Sequence, residues 1–525
     1  MPKNIALVLA GLLSVLPVAA RAETPHRGGT AILVLPQEPP VVNPNVTQGL
    51  PDKIIGCIFY EGMVSITPEG EVIPRLAKSW TITPDGKTYS FELGKAEFHD
   101  GKPVTSEDVK YTLLEVSAKY SPSFTAAGRD IDHIDTPAAD KVVISLKEPF
   151  GPFLQSLACE QGAAVMPSHL FRGTNPLQNP ATTQAPVGTG PFKFVEWKRG
   201  DHIRLVKYDK YHREGRPYLN GLIAKIITDS GARMQALAAG EVDIVPEFEP
   251  SNRAMVAANP KLQVVQSDVA PLFNSIFMNI TRKPLDDKRV RKALFMATDR
   301  DYLVKNAFSG VGNVGTMPFT KDIAWAANPD IDYSKMYPYD PVKAGAALDE
   351  AGFKRGVDGK RMTLHLAIFS NEHQEFLPVS VALKSMWQAA GIETVIDAME
   401  SGTLVKKVYV DRDFDTFLMS YTSLGDPALG IQRAFISGTL NKPYGNPTGY
   451  SNPTVDALFQ KGEHATDVQE RGKYYREAQT ILAEDLPSLT IRDYRAIDGA
   501  TKRLHDLWGK VQSGSEDWAE AWLEP

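Results

Sequence analysis

From residue 30 to residue 486, short apolar strand patterns and amphipathic helix patterns alternate without a repeat, a low-complexity tract or a long flexible linker. Residues 30–35 form an apolar, β-branched run that Gln37-Glu38-Pro39-Pro40 halts. Residues 87–93 (KTYSFEL) alternate polar and apolar, the pattern of a half-buried strand. Thr105-Ser106-Glu107-Asp108 precedes Val109, Leu113 and Val116, which share one helical face, so it reads as an N-cap with acids in the first turn. Further strands are expected at 141–146, 191–197, 202–206, 222–227, 242–245, 361–369 and 393–396. Helices are expected at 231–239, 288–297, 340–350, 378–390, 456–462 and 470–485. Such mixing along a whole chain predicts an α/β or mixed α+β architecture. The 525 residues exceed what one hydrophobic core usually supports, so two or three domains are expected. Composition marks no boundary between them. Lobes joined by short strands rather than tethers would hinge as rigid bodies.

The N-terminus reads as an export signal: Lys3, an apolar run from Ile5 to Val18, and Ala20-Arg21-Ala22 as an A-x-A cleavage site, giving a signal peptide over 1–22. The run is shorter than the roughly 20 residues that span a bilayer, and no Cys follows the cleavage site to carry a lipid. A periplasmic, exported and cleaved protein is expected. Cleavage takes the 57 Lys+Arg down to 55 against 63 Asp+Glu, a net charge of −8. That mildly acidic balance argues against nucleic acid or an anionic membrane as partner. Cys57 and Cys159 are the two cysteines. In an oxidising compartment they can pair, yet both sit in apolar surroundings where free thiols are equally at home. Ten scattered His and no His/Cys cluster at ligand spacing give no expectation of a metal.

Several motifs that look catalytic or cofactor-binding do not survive their context. Gly310-Val311-Gly312-Asn313-Val314-Gly315 matches GxGxxG, but a helical pattern precedes it and Thr316-Met317-Pro318 follows, the reverse of a dinucleotide fold. Residues 186–192 (PVGTGPF) lack the GK[ST] ending, and a strand rather than a helix follows. There is no G-x-S-x-G, and Ser168-His169 has no recognisable third member. No cofactor and no catalytic set is expected. The loop 420–427 is the strongest site candidate, because 413–419 (DFDTFLM) reads as a strand and ligands of α/β lobes bind at strand ends.

Residues 76–113, LAKSWTITPDGKTYSFELGKAEFHDGKPVTSEDVKYTL, place Trp80, two Asp-Gly turns, Phe98-His99 and Asp108-Val109 in an ordered run. It resembles the signature segment of the bacterial extracellular solute-binding proteins of family 5, the peptide, dipeptide and nickel receptors of ABC importers. Gly188-Thr189-Gly190-Pro191-Phe192, the 289–300 segment, Tyr339-Asp340-Pro341 and Gly449-Tyr450-Ser451-Asn452-Pro453 are similar to further stations of that family in the same order. The resemblance implies a bilobal periplasmic-binding-protein type II-like fold with an extra subdomain. Lobe I would comprise 23–60, 186–272 and 497–525, the extension 61–185, and lobe II 273–496.

The resemblance also implies a function: a non-enzymatic, monomeric receptor that closes on a peptide or dipeptide-like solute and delivers it to a membrane permease and its ATPase. Opines, oligosaccharides, metal chelates and presentation to a chemoreceptor are the alternatives. The implied ligand residues are Tyr421, Thr422, Ser423, Asp426 and Arg433, with Glu38 and Tyr60 approaching from the first lobe. In the family's peptide receptors an Asp three residues before the loop's final acid pairs with the peptide amine. Here that position is Ser423, which cannot neutralise a buried ammonium. Asp426, Glu38 or Glu61 would have to do so, or the ligand lacks a free amine. A tryptophan at 423 is expected to block the site without unfolding the chain.

Overall fold

The computed structural model describes residues 24–46, 49–121, 123–267, 270–370, 373, 375–511 and 517–525. The expected signal peptide, 1–22, lies outside them. Among the described residues no helix is long and apolar enough to cross a membrane.

A seven-stranded sheet runs in the order Leu262–Gln266, Ile497–Thr501, Ile244–Val245, Thr30–Leu35, Gly221–Ile226, His202–Lys207, Phe192–Lys198. Thr30–Leu35 lies parallel to both of its neighbours, and the remaining pairs are antiparallel. Its continuous apolar run suits a central strand covered on both faces, whereas His202–Lys207 alternates buried and exposed residues as a one-sided strand does. Helices Leu50–Phe59 and Ser230–Ala239 pack on this sheet. The second helix begins where the Asp229 carboxylate caps Ala232 N–H at 2.7 Å, and Gly240, at φ 75°, ends it in the left-handed conformation.

A six-stranded mixed sheet orders Asn313–Val314, Ser488–Tyr494, Leu272–Met278, Thr416–Thr422, Met362–Phe369, Ile392–Met399. Its faces carry two further cores, one around Leu294, Leu366 and Trp387 and one around Phe277, Phe417 and Tyr475. The third body is a four-stranded antiparallel sheet, Ala77–Ile82, Thr88–Leu93, Lys141–Leu146, Ile131–Ala138, with its own core around Phe91, Phe98 and Ile144.

The chain passes between the two large sheets twice. Leu262–Gln266 in the first sheet is followed by Leu272–Met278 in the second, and Ser488–Tyr494 in the second by Ile497–Thr501 in the first. The crossings lie side by side, because Gln266 pairs with Ile497 and Leu272 with Tyr494. Cys57 and Cys159 are bonded to each other, tying helix Leu50–Phe59 to the end of the segment that carries the small sheet.

The motifs of 76–113 do scaffold chemistry. The His99 backbone N–H donates to Gly188 O at 2.8 Å, its Nε2 lies 2.9 Å from Gly190 O, and Gly188 N–H donates to its Nδ1 at 3.3 Å. The glycines of GTGPF are required by the end of helix Leu50–Phe59, since a Cβ at Gly188 or Gly190 would fall 2.1–2.2 Å from the carbonyl oxygens of Phe59 or Ile58. Burial lowers the His99 pKa to about 4, so the ring is neutral and donates through Nε2. Folding thus selects the neutral ring. Its contribution is fully present above about pH 6.5 and fades as the pH falls towards 4, at a slope of at most about 1.4 kcal/mol per pH unit. Urea denaturation of His99→Gln is expected to show lower stability at pH 7.5 and a flatter decline between pH 6.5 and 4 than the parent. Parallel pH profiles would refute this role.

Candidate ligand-binding cleft

Strand Thr416–Thr422 is a central strand of the second sheet, and its last residue pairs with Leu272 at the first crossing. The polar loop that leaves it is pinned to that crossing, with Ser423 N–H donating to Pro271 O at 2.9 Å. Leu424 takes a left-handed φ of 51° and offers its carbonyl to Gln161 of the small-sheet body at 3.4 Å. Ala428 and Leu429 bury their side chains in that body's core. One loop therefore meets all three parts of the molecule.

Within it, and in the last residues of the strand before it, the expected ligand residues have distinct placements. Asp426 is 1% exposed and caps the turn of π-helix Pro427–Ile431 through Ala428 N–H at 2.9 Å. It also accepts two hydrogen bonds, at 2.7 and 2.8 Å, from Arg471 on helix Val468–Asp485. Its oxygens are committed to the fold. Ser423 is fully buried, its hydroxyl accepting from Gly425 N–H at 3.2 Å, with Gly430 pressed against its backbone. A tryptophan there has no room, so it would displace the loop rather than simply block a site. Thr422 is half-buried and accepts from Leu424 N–H. Tyr421 is buried among Phe273 and Phe277, with its hydroxyl between Tyr409 and Gly445 O. Arg433, half-buried, reaches over the Tyr421 ring at 5.1 Å.

From the first sheet's side, Glu38 is taken up by the adjacent hairpin: Trp197 Nε1 at 3.0 Å, Gly200 N–H at 3.1 Å and Arg199 at 3.5 Å. Tyr60 is fully buried, and its hydroxyl donates to Ala181 O at 3.3 Å. Glu61 is held by the Tyr211 hydroxyl at 2.7 Å and by His212 at 2.9 Å.

The groups that face one another between the sheets come from elsewhere in the chain. Lys53, on the first turn of helix Leu50–Phe59, feels Arg433, Glu160 and Glu247. Burial and then the Arg433 charge lower its pKa to about 8. Glu247, itself at a left-handed φ of 45°, feels Asp498, His373, Lys53 and Glu375. Burial, reinforced by Asp498, raises its carboxyl to about 7, so it exchanges a proton near neutrality. Burial also works to raise Glu375, but His373 and Arg492 together hold that carboxyl below its ordinary range. Tyr494, bonded to the Ser420 hydroxyl at 2.8 Å, stands among Arg492, Glu375 and Glu247. Beyond it a cavity of about 190 Å³ is lined by Ser230, Glu249, Pro250 and Ser251 from one side and Ala307, Glu375 and Pro378 from the other. None of Lys53, Glu247, His373 or Glu375 stands out in the sequence. Each is an ordinary charged residue until two crossings bring distant segments together.

This arrangement, a charged crevice between two sheet-centred bodies joined by paired crossings, suits capture of a polar solute. Residues 71–441 match the model of the bacterial extracellular solute-binding proteins, family 5. The chain belongs to that family. Its relatives include the glutathione-binding protein GsiB of Pectobacterium atrosepticum, 29% identical over 459 residues that cover 85% of each chain. Among solved structures, the oligopeptide-binding protein AppA of Bacillus subtilis in complex with a nonapeptide is 26% identical. It superposes with a TM-score of 0.81 over 96% of this chain and all of that one. The periplasmic binding protein AgaA of A. tumefaciens R10, in complex with agropinic acid, is 25% identical with a TM-score of 0.80, over 95% and 99% of the two chains. The family 5 chain thus has the bilobal binding-protein fold with an extra subdomain, as its motifs implied.

Proposed function

We propose that the protein is the solute-capturing component of an ABC importer, taking up a peptide or dipeptide-like solute. The observation that carries this reading is the paired crossings at 266–272 and 494–497, with the 420–434 loop pinned to one of them and a charged cleft opening beside it. Lobe I (23–60, 186–272, 497–525) and lobe II (273–496) would close over the solute about these crossings, with the extension 61–185 riding on lobe I. Closure of this kind shifts an open–closed equilibrium by the ligand's differential affinity for the two states. The exported, cleaved monomer would then dock on a permease powered by an ATPase and catalyse nothing itself. The family, its glutathione-binding relative and its peptide-complexed neighbour support this reading.

A second ligand class, the opines, is favoured by one observation. The position that carries an amine-binding Asp in peptide receptors is a buried Ser423, and Asp426 is occupied by Arg471. A thermal-shift panel of glutathione, di- to pentapeptides and opines separates the two. A ligand present at 100 times its dissociation constant stabilises by about 2.7 kcal/mol, which raises the midpoint of a chain this long by about 2–3 °C. A shift with peptides is the expected result. A shift confined to opines would replace the peptide reading, and no shift with any of them would remove both.

A further inference from the structure

Two glycines of the small-sheet body take up a corner of the second sheet's body. Helix Pro453–His464 packs into the core around Phe277 and Phe417, and helix Val468–Asp485 follows it across the bend 465–467. That corner presses on the Asp85-Gly86 turn of the signature segment and on Gly151, which lies beyond strand Lys141–Leu146. Gly86 is buried although residues 81–85 before it are exposed, because Thr466 covers it: a Cβ at Gly86 would lie 2.6 Å from Thr466 Cγ2. A Cβ at Gly151 would meet Arg471 Nε at 2.5 Å, Arg471 Cζ at 2.7 Å and Ala465 O at 2.9 Å, all atoms of the second body. Gly151 N–H donates to Glu463 O at 2.7 Å, and the Glu463 carboxylate accepts from Arg129 of the small-sheet body at 2.9 Å and from Gln432. Arg129 is more than half exposed and shares its charge with Asp130, so the ion pair adds little and the close fit at the glycines makes the contact. The small-sheet body is fixed to the first sheet's body on another side, by the Cys57–Cys159 bond and by the hydrogen bonds of His99 with Gly188 and Gly190. The 463–466 corner therefore meets it across a boundary that the paired crossings allow to open.

We propose that the extension is a latch on lobe closure: Gly86 and Gly151 receive the 463–466 corner when the lobes close and release it when they open. The inference rests on the closure in the receptor reading and gives the small-sheet body a function in it. A contact made only in the closed form favours closure by its own free energy, whatever the solute. It therefore sets overall affinity without entering the choice of ligand. Glycine suits both positions, because a side chain at either would hold the bodies apart, whereas bare backbone lets the corner seat and leave. The helix end gains as well. Glu463 O is one of the last four carbonyls of its helix, which find no donor within the helix, and Gly151 supplies one across the boundary.

The test is small-angle X-ray scattering of the mature protein without solute, read as the radius of gyration. Gly151→Ala adds one methyl group that clashes across the contact, and it is expected to raise the radius above the parent's. Gly86→Cys/Thr466→Cys should do the reverse. The two Cβ positions lie 3.8 Å apart, the usual separation in a disulfide. After oxidation, with the new bond confirmed by peptide mapping, this variant is expected to take a single compact value. Gly86→Ser/Thr466→Ser changes the same turn without a bond and is expected to lie at or above the parent's radius. Should Gly151→Ala fail to fold, the cross-linked pair against its Ser counterpart decides. Equal radii for those two, Gly151→Ala at the parent's radius, or a Cys pair that stays unbonded under oxidation would each overturn the latch. No solute is present, so these curves judge the latch separately from the receptor reading, which the thermal-shift panel tests.

Discussion

Replacing Arg471 by methionine is expected to destabilise the protein by about 3–5 kcal/mol, because it strands a carboxylate in the interior. Asp426 is 1% exposed and Arg471 4% exposed, so neither charge can recover its hydration. The pair also closes a local circuit. Asp426 caps the turn that begins at Pro427, while Arg471 donates to Gly462 O at 2.8 Å and lies 5.0 Å from the Trp325 ring. Asp426→Leu alone should cost a similar amount by leaving the guanidinium unpaired. The double variant Asp426→Leu/Arg471→Met should recover much of the loss, since an apolar pair of similar volume removes both desolvation penalties. Chemical denaturation of the two single variants and the double variant decides this. Single-variant costs that simply add would mean that the two residues act independently and that the ion pair does not brace the loop.

Removal of the Cys57–Cys159 bond is expected to have an effect of the same order. The bond closes a loop with a sequence separation of 102, and a loop of that length restricts the unfolded chain by about 4–5 kcal/mol in the chain-entropy account. It also joins the helix that carries Lys53 to the segment that carries Glu160, so both lie on one cross-linked frame. The double variant Cys57→Ser/Cys159→Ser should therefore unfold at markedly lower denaturant concentration. Its binding should also weaken, as the first wall of the cleft loosens. An unchanged midpoint in the reduced and oxidised forms of the parent would contradict the account.

Much of this fold is legible in the sequence, and the reasons are local. Residues 87–93 alternate because one face of a small sheet is buried, and Thr88–Leu93 shows that alternation. Asp340 announces a helix because a short polar side chain before a Pro caps the first turn, as it does, whereas Asn452 caps a helix that begins at Pro453, ahead of the expected 456. The GxGxxG of 310–315 is unmasked by its neighbours, and its Asn313-Val314 forms an edge strand beside Ser488–Tyr494. The π-helical turns at Thr112–Ser117, Leu303–Ala307 and Lys406–Val410 carry no such mark, because tertiary packing rather than local propensity widens a helix. The cysteine pairing also stays hidden, since apolar flanks suit a buried thiol as well as a bridge.

The site is legible in outline only. A strand end and a polar loop point to 420–427, and that loop does sit at a crossing. The same letters cannot say that Asp426 faces Arg471, 45 residues away, or that Glu249 and Glu375, from the sides of the two sheets, line one cavity. Those facts depend on how two sheets are set against each other, and each residue alone looks like any surface charge.

The central claim is that the cleft holds a small solute. Native mass spectrometry of the mature protein taken from the periplasm, before and after denaturation and refolding, tests it most directly. The account predicts one bound small-molecule mass per chain that disappears on refolding and returns when the released compound is added back. A protein that carries no mass before unfolding, and takes none back from a concentrated extract of its own growth medium, would contradict it.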